Sequence, residues 1–221
     1  MGLIADGPMF LAKPRLTVAA NFTVPPYSDL RPYLTDVEDQ GTRPICVAEA
    51  VKEWIQVDGW CRHHVPPDVD AERIYAEAKR IDDAPESEGT TLEAGIQAAQ
   101  NLGYIPRDCT VKTIRTALEM QFALHTRTPV ISAFDITAGW EPENVSRKNG
   151  FIGNQAAQRG GHAVLTCWYA LAGVETDDSP ESYGWRNSWG TPWGLNGLGR
   201  MTRAQFDRQH MYSCVIERSG A

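Results

Sequence analysis

The spacing of apolar residues changes character partway along the chain. From residue 46, Val47, Ala50, Val51, Trp54 and Ile55 recur every three or four positions, which predicts a helix with one apolar stripe, and Gly59 is where it should close. A second helix is predicted over 70–81, with Ile74, Tyr75, Ala78 and Ile81 on one face. The stretch DDAPESEG (82–89) reads as a loop by composition. TTLEAGIQAAQNLG then reads as a third helix; Thr90 and Glu93 have capping-box spacing, and Gly103 sits where a helix stops. A fourth is predicted over 111–124. Beyond it the period shortens to two. TPVISAFDI reads as a strand behind Pro129, and GGHAVLTCWYAL, YGWRNSWG and LGRMTR as further strands. Helices first and strands second predicts an α+β protein of two lobes. Ahead of both, VPPYSDLRPY is held extended by its prolines, and residues 1–22 read as an N-terminal extension.

Composition narrows the partners. A chain of 221 residues, 42% apolar and 22% charged, can bury a full core. Its net charge is −7 and it has no basic run, so neither nucleic acid nor an anionic membrane is an expected partner. No apolar run is long enough to cross a bilayer. The start, MGLIADGPMFLAKPRL, is a poor signal peptide, because a basic opening is missing and Asp6, Gly7 and Pro8 interrupt the apolar run. A cytoplasmic location, or export without a cleavable signal, is the expectation. The five cysteines (Cys46, Cys61, Cys109, Cys167 and Cys214) are odd in number and contain no Cys-x-x-Cys pair. That predicts reduced thiols and no closed zinc site. CRHH (61–64) reads as a solvated helix end rather than a metal site, and His125 and His210 have no supporting context.

Three segments carry candidate chemistry. Gln40 precedes Cys46 by six residues in DQGTRPICVA; His162 lies in GGHAVLTCWYA; Asn187 opens NSWGTPWGLNG. A buried, inert thiol is the common fate of a free cysteine. The joint order of these motifs outweighs that reading, because it resembles the papain-like cysteine peptidases, and specifically their bacterial members, from about residue 24 to 203. The resemblance implies a helical lobe (about 31–109) and an antiparallel β-barrel lobe (about 110–221) within a peptidase domain of 23–221, with a cleft between them. It implies Cys46 as nucleophile, His162 as acid–base partner and Asn187 as the residue orienting the imidazole. Gln40 would donate to the oxyanion, and the reaction would be peptide-bond hydrolysis through an acyl-enzyme thioester. Trp189 would shield the Asn–His bond. Gly89, with Thr90 nearby, would offer backbone to an extended peptide, and Ala133 and Ala163 would line a substrate pocket. The substrate would be a peptide or protein, and no metal or organic cofactor is called for. The chemistry agrees with these residue types. A free thiol is little ionised at neutral pH, and a helix N-terminus and a nearby imidazolium both favour the thiolate.

The chain also departs from the family pattern. Arg43 stands where a disulfide-bonded cysteine is usual, Pro44 where a glycine is, and Val47 where a tryptophan is. The acidic stretch AGVETDDSPESYG is expected to form a long hairpin loop. Only 39 residues precede Gln40, in place of a long inhibitory propeptide, so residues 1–22 are expected either to pack on the barrel or to lie across the cleft as a plug. Two other activities fit the same residues: an acyltransferase or deamidase, as in a toxin or effector, and a non-catalytic peptide-binding module.

Overall fold

The computed structural model describes residues 2–218. In chain order its elements are α1 (Pro8–Leu11), β1 (Tyr27–Asp29), α2 (Cys46–His63), α3 (Ala71–Ile81), α4 (Leu92–Asn101), β2 (Thr110–Ile114) and α5 (Ala117–His125). There follow β3 (Val130–Thr137), β4 (Gln158–Ala170), β5 (Ser182–Arg186), β6 (Leu198–Thr202), α6 (Arg203–Gln209) and β7 (His210–Glu217). The strands form one antiparallel sheet in the order β2-β7-β3-β4-β5-β6, with β1 paired to β4. This is the two-lobed α+β architecture expected from the sequence.

Alternation along the strands decides where the lobes meet. Ile131 and Ala133 on β3, Ala163 and Leu165 on β4, and Tyr212, Cys214 and Ile216 on β7 join the helices in one apolar cluster. Their neighbours Phe134, Ile136, Val164 and Val215 face the other way, into a barrel core with Trp140, Trp185 and Trp193. Helix α2 is therefore the central rod, buried against the sheet along Val47, Val51, Trp54 and Ile55. Trp54 Nε1 donates to the Pro129 carbonyl at 2.9 Å, tying the rod to the start of β3. Ala133 and Ala163 are register partners, and their small side chains let the first turn of α2 come close to the sheet.

Several local expectations are corrected. Gly59 does not end α2, which runs to His63 and is capped by His64 in the left-handed conformation. Gly59 is needed for space: a Cβ there would lie 2.5 Å from the Pro67 ring. CRHH is accordingly the last turn and cap of α2, with both histidines exposed. The cap of α4 is Thr91, which accepts from the Ala94 N–H, and not Thr90. The predicted helix over 111–124 is two elements. Residues Thr110–Ile114 pair with β7, and α5 starts only after a capping box formed by Thr116 and Glu119. Strand β7 and helix α6 were not anticipated.

Residues 2–16 run over both lobes. Leu3 bridges Thr90, Phe10 is buried in the interlobe cluster, and Arg15 bridges Thr113 on the outer edge of β2. Asp6 is buried and accepts from the N–H groups of Leu92 and Glu93, satisfying donors at the start of α4, while its own N–H donates to the Tyr212 hydroxyl.

Candidate active site

Cys46 is the first residue of α2, after Ile45, whose side chain makes no capping bond. The thiol meets the Val47 backbone N–H of this first turn, and also backbone groups of Ala163 and Gly2. These favour the thiolate, but burial is the larger influence and pushes the thiol above its usual range.

His162 lies on β4, beside Ala163 and opposite Phe134 on β3. Its Nε2 is 2.8 Å from Asn187 Oδ1. The same oxygen accepts from the Ser188 N–H at 2.9 Å, which identifies it as the carbonyl end of the carboxamide. His162 Nε2 must therefore carry the hydrogen, and Nδ1 is left for another partner. Trp189 lies over the imidazole with ring centroids 4.6 Å apart, and Trp140 approaches it edge-on at 6.0 Å. Burial lowers the His162 pKa to about 4, against the opposing pull of Asn187. A buried thiol pushed up and a buried imidazole pushed down are both neutral at pH 7.

Gln40 sits in a turn just ahead of α2. Its Oε1 accepts from Ser188 Oγ at 2.7 Å, and its Nε2 donates to the Arg43 carbonyl at 2.7 Å. Its backbone N–H donates to the Ser188 carbonyl at 2.9 Å. One amide hydrogen is thus used for orientation, and the second stays available to an oxyanion. Ser188 holds the carboxamides of both Asn187 and Gln40, a role the sequence reading missed although the residue lies inside the quoted motif.

Gly89 and Thr90 lie beside the N-terminal segment whose backbone reaches the Cys46 thiol. Thr90 bonds that segment through its backbone: its N–H donates to the Gly2 carbonyl at 2.9 Å, and its carbonyl accepts from the Ile4 N–H at 2.8 Å. Gly89 supplies clearance, since a Cβ there would be 2.6 Å from the Gly2 carbonyl oxygen. On the other side Gly161 would place a Cβ 2.8 Å from the Leu3 carbonyl oxygen. Residues 2–4 are therefore threaded between Thr90 and the start of β4. Leu3 packs on the cluster that contains Ala133 and Ala163.

A cysteine at a helix start, a histidine held by an asparagine, and a glutamine amide with a free hydrogen can together perform nucleophilic acyl transfer. The model of the papain family cysteine proteases matches residues 82–219, more than half of the chain. The chain belongs to that family. The matched stretch contains His162 and Asn187; Gln40 and Cys46 lie ahead of it. Solved structures agree on the fold. Xylellain, a cysteine protease from Xylella fastidiosa, superposes with a TM-score of 0.79 at 19% identity, covering 98% of this chain and 95% of its own. Procathepsin B from Trypanosoma congolense gives 0.74 at 11% identity, with 99% and 87% covered. The proform of the ragweed pollen allergen Amb a 11, a cysteine protease, gives 0.70 at 14% identity, with 96% and 74% covered. No curated protein sequence matches the chain significantly.

Proposed function

We propose that this cysteine peptidase hydrolyses peptide bonds with Cys46 as nucleophile and His162 as its acid–base partner, through a thioester acyl-enzyme. His162 takes the thiol proton through Nδ1 and returns it to the leaving amine, so the amine departs neutral. Asn187 keeps the imidazole in the tautomer and orientation this requires. The second hydrogen of Gln40 Nε2, with the Cys46 N–H, meets the negative oxygen of the tetrahedral intermediate. Water then attacks the thioester, with His162 as base, and frees the acid and the thiol. The observation that carries this reading is the pair of carboxamides held by Ser188, one on the histidine and one beside the cysteine.

The same reading gives residues 2–4 a gating role. They occupy the channel between Thr90 and Gly161, their backbone reaches the Cys46 thiol, and Leu3 fills apolar space. While they are seated, the thiol and imidazole are dry and neutral. Lifting them admits water and substrate, and both pKa values relax toward the ion pair. Phe10 and Leu16 are core residues, so the rest of the extension is part of the fold.

Incubation of the full chain with a peptide library, read by mass spectrometry, tests the activity. Cleaved products that disappear in Cys46→Ala and in His162→Ala are expected. Joined peptides, or a one-dalton gain on glutamine without cleavage, would replace hydrolysis by amine transfer or deamidation.

A further inference from the structure

Gln40 donates usefully only if its turn is held still, and two residues bind Gln40 directly. One is Ser188, on the barrel side. The other is Arg43. The Arg43 N–H and its Nε both donate to the Gln40 carbonyl, at 3.1 and 3.2 Å, while the Arg43 carbonyl accepts from Gln40 Nε2. Residues 40–43 thus close into a ring of three hydrogen bonds. The guanidinium then reaches out of the ring to an ion pair with Glu72, in the first turn of α3. Gly41, at φ +57°, has open space around its Cα, so the turn has no packing of its own on that side.

We infer that Arg43 is a positioning residue for the oxyanion donor, with Glu72 as its anchor on the helical lobe. The inference rests on the oxyanion role proposed for Gln40. Arg43 touches neither the substrate nor the reacting atoms. Its planar fork fixes the Gln40 carbonyl and the Glu72 carboxylate at once, which the single ammonium of lysine cannot do in that geometry. An ion pair thereby joins the start of the catalytic helix to α3 at the position where relatives of this pattern place a disulfide-bonded cysteine. Both partners are about half exposed, so the tether is screened by salt.

The test uses the full chain and two reactions of Cys46. Iodoacetamide alkylation needs the thiolate but no oxyanion donor. Hydrolysis of a peptide p-nitroanilide, selected from a library on the unaltered chain, needs both. Residues 2–4 must lift for either reaction, so the ratio of the two rates cancels that step. Glu72→Gln and Arg43→Ala are expected to lower kcat about threefold and about tenfold, with KM and the alkylation rate within about twofold of the unaltered chain. The effect should vanish in a Gln40→Ala background, and the exchanged pair Arg43→Glu with Glu72→Arg should recover part of it. Raising salt should lower kcat in the unaltered chain and leave Glu72→Gln unmoved. If Gln40→Ala lowers kcat while both tether variants keep it, Arg43 has no positioning role. The same holds if alkylation falls in step with hydrolysis. If Gln40→Ala itself keeps full kcat, the oxyanion reading fails first and this inference with it. Glu72→Gln, a half-exposed surface change, decides the matter should Arg43→Ala fold poorly.

Discussion

Gly2→Val should release the active site. An ideal Cβ on Gly2 would sit 1.9 Å from the Pro44 carbonyl oxygen, a backbone atom that cannot yield, so a valine cannot occupy the seat. The variant forfeits two backbone hydrogen bonds with Thr90, worth about 1 kcal/mol each, and the partial burial of Leu3, worth about 1–2 kcal/mol. Against this stands the cost of ordering Gly2, Leu3 and Ile4, about 1 kcal/mol each at the low end because Asp6 already anchors the chain behind them. The difference favours the seated form by at most about 1 kcal/mol, so roughly one molecule in two to six is open at any moment. Removing the seat should therefore speed both iodoacetamide alkylation of Cys46 and peptide hydrolysis by about two- to sixfold, with no change in thermal midpoint attributable to the core. Gly7→Ala is the control, because a Cβ there meets nothing within 4 Å, and it should leave both rates unchanged. Equal rates for Gly2→Val and the unaltered chain would refute the gating argument, and equal acceleration by Gly7→Ala would refute its steric basis.

Burial lifts the Glu49 carboxyl to about 7, with Glu38 adding to the effect, and lifts Glu53 to about 8 despite Arg186. These groups stay protonated in the fold while the unfolded chain ionises near 4.5, so stability present below that value is lost as pH rises toward 8. Denaturant midpoints should fall between pH 5 and pH 8, and Glu53→Gln should shrink the stability lost over that interval by a few kcal/mol; an undiminished loss would contradict the burial argument. Trp189→Ala should lower kcat about tenfold and leave KM nearly unchanged, because water then competes for the His162–Asn187 bond. Ser188→Ala, read in the same kinetic assay, should lower kcat about tenfold by freeing the Gln40 carboxamide.

What the sequence revealed and what it hid divide along physical lines. The α2 stripe was legible because burial on one side imposes a helical period, and the motifs around Cys46, His162 and Asn187 were legible because each is local. Residues 111–124 were misread because Val111, Ile114 and Leu118 recur at three- and four-residue spacing, the period of a helix. Pairing of β2 with β7 and with residues 13–16, which no local pattern announces, decides the outcome. Gly59 looked like a stop because its packing partner, the Pro67 ring, arrives from the next loop. The meeting of Gly2 with Thr90 left only small residues as a trace, Gly2 and Gly89. Arg43 stood out as a departure from a pattern, and only its partners in space give it a task.

The central claim is that Cys46 is a nucleophile made reactive by His162. Brief iodoacetamide labelling followed by peptide mapping of all five cysteines, in the full chain carrying Gly2→Val and in the same chain with His162→Ala, tests it most directly. The account predicts modification confined to Cys46 near neutral pH and lost when the imidazole is removed. Slow, even labelling of Cys46 and the half-buried Cys61 and Cys109, indifferent to His162, would contradict it.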